Sequence, residues 1–243
     1  MYRDIFIDFD DTLYDTRGNA QIALGELFEH FKLIQYFHSP EDFYTPYWQT
    51  NSALWEQYAA GKIDRDHLIV ERFRQPLSKG INADGTPFSP SREECLKISD
   101  VFLDFCSSKP GLVEGARELV EYLISRNYKL HLCSNGFHEV QYKKLKSCGL
   151  TGFFDNIILS EHAGANKPSP RFFDYAFSET SAQKSQTIMI GDNLTTDIGG
   201  AAAYGLDTIF FNRRKDPTDT HSISASLQPT FTVFSLKEIE SIL

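Results

Sequence analysis

A group of oxygen-bearing side chains stands at the end of the first apolar segment of the chain. Asp8, Asp10 and Thr12 occupy every second position of the stretch Asp8-Phe9-Asp10-Asp11-Thr12. Carboxylates placed in this way can bind a hard cation, attack an electrophile or transfer protons. A lone aspartate after a strand is more often a turn residue or a helix cap. The chemical interpretation therefore depends on what other segments contribute.

Polar residues also follow three later apolar segments. They are Ser134 and Asn135, then Lys167, then Gly191-Asp192-Asn193 with Asp197 beyond it. In an open α/β sheet, ligands bind beyond the carboxyl ends of the strands. We therefore expect one sheet edge to carry all of these groups.

The apolar segments themselves predict a parallel sheet. The first strand candidate runs from Ile5 to Phe9, and the others cover residues 129–133, 156–159, 187–190 and 207–211. Helices are predicted near residues 115–126, 139–147, 170–180 and 195–204. This βα alternation is typical of a parallel sheet with right-handed crossovers.

The segment 15–109 differs, because its aromatic-rich stretches have helical spacing and no convincing strand. Helices are predicted at 20–31, 46–58 and 92–105, and Ser39 followed by Pro40 indicates a further helix start. A surface loop is expected from Arg213 to Gln228. Ser235-Leu236-Lys237-Glu238 predicts a capping box at the last helix.

The order Asp-x-Asp-x-Thr, serine after a strand, Lys-Pro and Gly-Asp-x-x-x-x-Asp resembles the haloacid dehalogenase superfamily of aspartyl-phosphate phosphatases. The motifs begin at Asp8, Ser134, Lys167 and Gly191, so the resemblance covers nearly the whole chain. Each motif alone is weak, but all four in order are specific. The resemblance implies an α/β fold, with a Rossmann-like parallel sheet core at residues 1–14 and 110–243 and an inserted all-helical cap at 15–109.

The resemblance also implies magnesium-dependent attack on small phosphate monoesters. Asp8 would form an aspartyl-phosphate, and Asp10 would protonate the leaving oxygen and later activate water. Mg²⁺ would be held by the carboxylates of Asp8 and Asp192 and by the backbone carbonyl of Asp10. Lys167 would balance these carboxylates and orient Asp8.

Other residues are expected to support this site. Ser134 and the backbone amide of Asn135 are predicted to hydrogen-bond the phosphoryl group. Supporting positions around the metal and nucleophile are predicted for Thr12, Asn193 and Asp197. His131 lies within an apolar strand and is interpreted as a core histidine.

Several other functions share part of this pattern. Dehalogenases lack the second catalytic aspartate, which is present here as Asp10. Phosphonate-cleaving relatives need a cap lysine, and the candidates Lys32, Lys62 and Lys79 stand in no marked context. Phosphomutases and sugar-phosphate phosphatases remain open alternatives. A phospho-accepting receiver-like switch is disfavoured by the long helical insertion.

A finer resemblance concerns the substrate. The segments Ser134-Asn135-Gly136-Phe137, 54–58 and 61–63 look like the noncanonical pyrimidine 5′-nucleotidases. Trp55, Tyr58 and Phe137 are candidates for stacking a planar base. Helical spacing of Trp55 and Tyr58 is equally typical of residues that pack a helical core. Pyrimidine nucleoside monophosphates are the predicted substrates.

Composition excludes some partners. A net charge of −9 and a pI near 5.3 disfavour binding along a nucleic-acid backbone. The four cysteines show no Cys-x-x-Cys spacing, so reduced structural thiols are expected. The acidic beginning and the absence of a membrane-length apolar run predict a cytoplasmic protein that does not span a membrane.

Overall fold

The structure is a computed structural model that describes residues 2–213 and 228–243. The chain divides into two compact units. One comprises Met1–Thr16 together with Pro110–Leu243, and the other comprises Arg17–Lys109. The first unit contains a parallel sheet and the second is helical, which confirms the predicted α/β fold class with a helical insertion after the first strand.

The sheet has six parallel strands in the order β3-β2-β1-β4-β5-β6. Their bounds are β1 Asp4–Ile7, β2 Lys129–Ser134, β3 Asn156–Leu159, β4 Thr187–Gly191, β5 Asp207–Phe211 and β6 Phe231–Val233. From β1, the strands β2 and β3 follow on one side of the sheet, and β4, β5 and β6 follow on the other. The topological switch point therefore lies between β1 and β4, where open α/β sheets bind their ligands.

Alternating side chains of β1 explain why this strand is central. Ile5 and Ile7 belong to the hydrophobic cluster on one face of the sheet, whereas Phe6 belongs to the cluster on the other face. Successive residues of a strand point to opposite faces, so an unbroken apolar run suits a strand that is covered on both sides. The strand ends at Ile7, two residues before the predicted end at Phe9.

Helices connect the strands of this unit. They are α5 Ala116–Ser125, α6 His138–Ser147, α7 Ser160–Ala163, α8 Pro170–Thr180 and α9 Gly200–Tyr204. The predicted helix at 195–204 is split, because Leu194–Gly199 forms a π-helical turn before α9 begins. Such turns are rare in proteins overall, but those that occur are often found at functional sites.

Four helices form the second unit, with α1 beginning one residue before it. They are α1 Thr16–His30, α2 Pro40–Ala59, α3 Arg65–Leu77 and α4 Arg92–Ser107. The helix start at Ser39 is confirmed, since its hydroxyl and the Asp42 carboxylate form a reciprocal capping box. The helix predicted to begin at residue 46 is the continuation of α2. Pro46 forgoes one backbone hydrogen bond, and the buried Phe43 and Tyr47 hold the helix together around it.

A buried arginine stands in the core of the helical unit. Arg72 is 2 % exposed, and its guanidinium lies 5.4 Å from the ring centre of Phe73 and 5.3 Å from that of Phe102. Arg72 donates two hydrogen bonds to Ser99 Oγ, from Nε at 3.2 Å and from Nη2 at 2.6 Å. Burial lowers the pKa of Arg72 from its ordinary value. The hydroxyl and the two rings thus replace part of the lost hydration of this cation.

The C-terminal segment departs from the sequence prediction. The capping box at Ser235 is wrong, because the Ser235 hydroxyl donates to the Glu238 carboxylate at 2.9 Å instead of capping the backbone. The segment Leu236–Ser241 is a 3₁₀ helix. β6 has only three residues, which explains why its pattern did not predict a strand. The loop predicted at 213–228 lies largely outside the described residues.

No helix in the described part of the chain is long and apolar enough to cross a membrane. The four cysteine side chains are buried, and no disulfide joins them, as expected of structural thiols. The interpretation of His131 as a core residue is also confirmed. It is 1 % exposed and contacts the Asp4 carboxylate at 3.1 Å and the Asn156 side chain at 3.0 Å.

The environment of Arg72 predicts the effect of one substitution in the helical unit. Ser99→Ala removes the oxygen that accepts two of its N–H groups, so the free energy of unfolding should fall by about 1–3 kcal/mol. Urea denaturation followed by circular dichroism measures it. The control Ser52→Ala, at an exposed position of α2, should change stability by less than about 0.5 kcal/mol. Equal stabilities of the two variants would contradict this account of Arg72.

Candidate active site

The loop after β1 carries the first group of candidate residues. Asp8 N donates to Ile190 O of β4 at 2.9 Å, so the backbone pairing of the two strands extends to Asp8 itself. The chain then turns tightly, because the backbone amides of Leu13 and Tyr14 both donate to Phe9 O. Asp11 adopts a left-handed conformation in this turn, with φ of 60°. Asp8 consequently lies at the switch point of the sheet, at the carboxyl end of β1.

A buried lysine joins two carboxylates at this point. Lys167 is 1 % exposed, and its Nζ lies 2.7 Å from Asp8 Oδ1 and 2.7 Å from Asp197 Oδ1. The same ammonium donates to Cys133 O at 2.6 Å. Burial alone would lower the pKa of Lys167, but the charges of Asp197 and Asp8 raise it above its ordinary value. Lys167 is therefore a fixed positive charge beside Asp8, and its predicted role in orienting the nucleophile stays a prediction.

Oxygen atoms of Asp8, Asp192 and Asp197 lie within 4.8 Å of one another. Burial, and then the neighbouring Asp197 charge, raise the pKa of Asp8 to about 7. Burial and the charges of Asp8 and Asp197 also raise the pKa of Asp192. One lysine does not compensate three crowded carboxylates, so the donor set fits a bound divalent cation. Carboxylate oxygens are the ligands that magnesium prefers.

The composition of this cluster differs in part from the predicted metal site. Asp197, predicted as a supporting residue, contributes its carboxylate directly to the group. The Asp10 carboxylate lies elsewhere, and the predicted contribution of its backbone carbonyl stays a prediction. The Thr12 hydroxyl lies 3.1 Å from Asp8 Oδ2 and 3.4 Å from Asp192 Oδ1, and its predicted supporting role stays a prediction.

The turn after β4 explains how Asp192 and Asp197 come together. Asn193 Oδ1 accepts the backbone amides of Thr195 and Thr196, each at 3.0 Å, and caps the π-helical turn. Asn193 N donates to Asp197 Oδ2 at 3.1 Å. A Cβ at Gly191 would lie 2.4 Å from the Asp197 carboxylate, so glycine is required there. Asn193 thus acts as a cap that draws Asp197 back beneath the end of β4.

Asp10 has its own set of partners, separate from the carboxylate group of Asp8, Asp192 and Asp197. Lys144 forms an ion pair with Asp10 Oδ1, which also accepts from Thr16 Oγ1 at 2.5 Å. Gln141 Nε2 donates to the other oxygen, Oδ2. Burial opposes ionisation of Asp10, but the Lys144 charge prevails and lowers the pKa of Asp10 from its ordinary value. Asp8 and Asp10 therefore have opposite electrostatic environments.

The two residues that follow β2 are held in different ways. Ser134 Oγ accepts from Gly136 N at 3.0 Å and lies 3.4 Å from Asp10 Oδ2. The Asn135 side chain exchanges two hydrogen bonds with the backbone of Lys167, at 2.9 and 2.8 Å. Ser134 thus stands beside Asp10, and Asn135 fixes the loop that presents Lys167. Their predicted contacts to a phosphoryl group stay predictions.

The three aromatic candidates lie in different units. Trp55 and Tyr58 are partly exposed on α2 of the helical unit, with ring centres 5.5 Å apart in an edge-to-face contact. Phe137 precedes α6 in the sheet unit and is 1 % exposed, so its ring has almost no surface to offer a ligand. Of the three, only Trp55 and Tyr58 therefore have ring surface that a ligand could contact.

Three further side chains, which were not predicted from the sequence, contact Asp10: Gln141, Lys144 and Thr16. Gln141 and Lys144 are three positions apart on α6 and so share one helix face. Both are polar residues on the face that buries Val140 and Leu145. Polar side chains on the buried face of a helix that follows a predicted site strand are the signal that could have found them.

Comparisons with known proteins agree with this geometry. The family model described as "haloacid dehalogenase-like hydrolase" matches residues 2–205. The putative HAD-hydrolase YfnB of Bacillus subtilis is 32 % identical over 244 residues, which cover 100 % of this chain and 95 % of YfnB. A crystal structure of YfnB bound to magnesium covers 100 % of this chain and 98 % of that one, with a TM-score of 0.84 and 29 % identity.

Two relatives with named activities align over almost their full lengths. The pyrimidine 5′-nucleotidase PynA of Streptococcus pneumoniae is 29 % identical, with 98 % of this chain and 94 % of PynA covered. The pyrimidine 5′-nucleotidase YjjG of Escherichia coli is 29 % identical, with 98 % and 96 % covered. From the family match and the YfnB alignment together, this chain belongs to the haloacid dehalogenase-like hydrolases.

Proposed function

We propose that this protein is a magnesium-dependent phosphatase that hydrolyses small phosphate monoesters through an aspartyl-phosphate at Asp8. One observation carries the proposal. The Asp8 carboxylate stands at the switch point, oriented by Lys167 at 2.7 Å, within a cluster of carboxylates that fits a divalent cation. A second carboxylate, Asp10, is two residues away and is held by a different lysine. A nucleophile and a separate proton carrier are the two groups that this reaction requires.

In the first half-reaction, a carboxylate oxygen of Asp8 forms a bond to phosphorus and the ester P–O bond breaks. Lys167 and Thr12 each contact one oxygen of Asp8, so the carboxylate cannot rotate away from the substrate. The leaving oxygen takes a proton from Asp10. A phosphate ester that binds nearby adds negative charge, and like charge favours the protonated form of Asp10 that this step needs.

In the second half-reaction, a water oxygen bonds to phosphorus and the P–O bond to Asp8 breaks. Asp10 accepts the proton that this water loses, and inorganic phosphate leaves. The Lys144 ion pair favours the ionised form of Asp10, which is the form that acts as a base.

The carboxylates of Asp8 and Asp192, with the backbone carbonyl of Asp10, would hold the cation, and the adjacent Asp197 carboxylate would support them. When bound, magnesium neutralises phosphoryl oxygens that would otherwise repel the carboxylate nucleophile. Ser134 and the Asn135 amide supply neutral donors to the remaining phosphoryl oxygens.

For the substrate, we propose pyrimidine nucleoside monophosphates. Two relatives that align over nearly the whole chain carry the name pyrimidine 5′-nucleotidase, which supports this choice. Trp55 and Tyr58 are partly exposed aromatic side chains that could stack a base. Sugar-phosphate phosphatase and phosphomutase remain the alternative functions, and a phosphomutase would return phosphate to its sugar instead of releasing it to water.

The nucleophile proposal predicts that Asp8→Asn lowers kcat by at least about 1,000-fold, because an amide cannot form the acyl-phosphate. Phosphate release with magnesium measures the rate, and circular dichroism checks the fold. Asp100→Asn, at an exposed position of α4, is the matched control and should retain the wild-type rate. Near-normal hydrolysis by Asp8→Asn would remove Asp8 from the mechanism.

The metal proposal predicts that a chelator abolishes phosphate release and that added magnesium restores it. Calcium should restore it poorly, since its larger and looser coordination misplaces the nucleophile. Calorimetric titration gives a readout that is independent of turnover, and Asp192→Asn should weaken magnesium binding in that assay. Full activity in excess chelator would contradict the proposal.

The substrate proposal predicts higher kcat/KM for UMP, dUMP or dTMP than for hexose phosphates. Trp55→Leu should lower kcat/KM for UMP by about 2- to 10-fold, the usual worth of an aromatic contact, and leave that for a hexose phosphate unchanged. Trp48→Leu, in the same helix, is the control and should not change the ratio between the substrates. A sugar phosphate preferred by about tenfold or more, a difference of about 1.4 kcal/mol, would overturn the nucleotidase proposal while leaving the phosphatase intact.

A further inference from the structure

Helix α6 directs two polar side chains into the interior of the sheet unit. Gln141 is 0 % exposed and Lys144 is 5 % exposed, although the adjacent Tyr142 and Lys143 are exposed. Lysine is almost never buried unless a partner compensates its charge. The buried face of α6 therefore serves a purpose beyond apolar packing.

That purpose is contact with Asp10. The Lys144 ammonium pairs with Oδ1, and the Gln141 amide donates to Oδ2. One contact would leave the carboxylate free to rotate about its Cβ–Cγ bond, whereas a donor on each oxygen fixes both its position and its plane. The ring centre of Tyr14 lies 5.2 Å from Lys144 Nζ and adds a cation–π contact to the ammonium.

The surrounding chain is shaped to admit Gln141. A Cβ on residue 136 would lie 1.7 Å from Gln141 Nε2, so only Gly136 leaves room for this amide. The same Nε2 donates to Ser134 Oγ at 2.8 Å, which uses its second proton. Gln141 Oε1 is buried and has no hydrogen-bond partner in the described residues. The position of the amide therefore favours the two hydrogen bonds that its nitrogen donates, to Asp10 and Ser134, although its oxygen is left without a hydrogen bond.

We propose that Lys144 and Gln141 are positioning residues that hold the Asp10 carboxylate in the orientation required for proton transfer. The inference rests on the proposed phosphatase function, because it assigns Asp10 the proton-transfer role. Lys144 and Gln141 act through Asp10 and do not touch the reacting phosphorus. Lys167 orients the nucleophile in the same manner, so each reacting carboxylate has its own lysine.

The first test compares two substrates that differ in their need for an acid. Lys144→Met should lower kcat/KM for an alkyl phosphate by about 10- to 100-fold, the usual loss when a catalytic group is misplaced. The loss for p-nitrophenyl phosphate should be much smaller, because nitrophenolate leaves without a proton. Lys144→Arg keeps the cation and should recover part of the loss. Lys146→Met, at an exposed position of α6, is the matched control and should behave as wild type.

The second test asks whether Lys144 acts through Asp10. In an Asp10→Asn background, Lys144→Met should cause no further loss with p-nitrophenyl phosphate, since the group that it positions is already disabled. Gln141→Leu should show the same dependence on the leaving group. If circular dichroism shows that Lys144→Met does not fold, Gln141→Leu takes its place in both tests.

Several outcomes would overturn the inference. Equal losses for both substrates would indicate a structural role, and a rise in KM with unchanged kcat would place Lys144 in substrate binding. Full additivity of Lys144→Met and Asp10→Asn would show that Lys144 does not act through Asp10. If the wild-type enzyme releases phosphate and Lys144→Met has the same kcat/KM for both substrates, the positioning inference fails while the phosphatase proposal stands. If the wild type hydrolyses neither substrate with magnesium, the phosphatase proposal fails with it.

Discussion

The site depends on one buried cation. Lys167 lies within 2.7 Å of both Asp8 and Asp197, and without it three carboxylates would share a small buried volume with no compensating charge. A buried ion pair rarely adds much stability over apolar packing, but removing one partner leaves an uncompensated charge. Lys167 therefore allows these aspartates to lie close together, because its charge offsets part of their repulsion. It leaves a net negative cluster that favours a bound cation.

Several local features follow from the need to deliver this lysine and these acids to one point. The Asn135 side chain ties the backbone of Lys167 to the end of β2. Asn193 caps a π-helical turn that brings Asp197 back under β4, and Gly191 leaves space for its carboxylate. Residues that look like ordinary turn formers thus determine distances between charged atoms.

The two aspartates after β1 differ because their surroundings differ. Burial and like charges raise the pKa of Asp8, and a bound cation would relieve that repulsion, whereas the Lys144 ion pair lowers the pKa of Asp10. Two carboxyl groups with opposite environments can take different roles in one reaction, one as nucleophile and the other as proton carrier. The division arises from α6 on one side and the loop of Lys167 on the other.

The sequence by itself predicted the fold class, five of the six parallel strands and the candidate residues Asp8, Asp10, Lys167 and Asp192, because strand ends and short motifs are local patterns. It did not predict that Gln141 and Lys144 contact Asp10, or that the Asp197 carboxylate lies close to those of Asp8 and Asp192. The two contacts to Asp10 join residues more than 130 positions apart and depend on side-chain direction in the folded chain. The capping-box motif at Ser235 was also wrong, because the hydroxyl donates to the Glu238 carboxylate and not to the helix backbone. Spacing along a chain can place residues at a common edge, but only tertiary packing decides which atoms meet there.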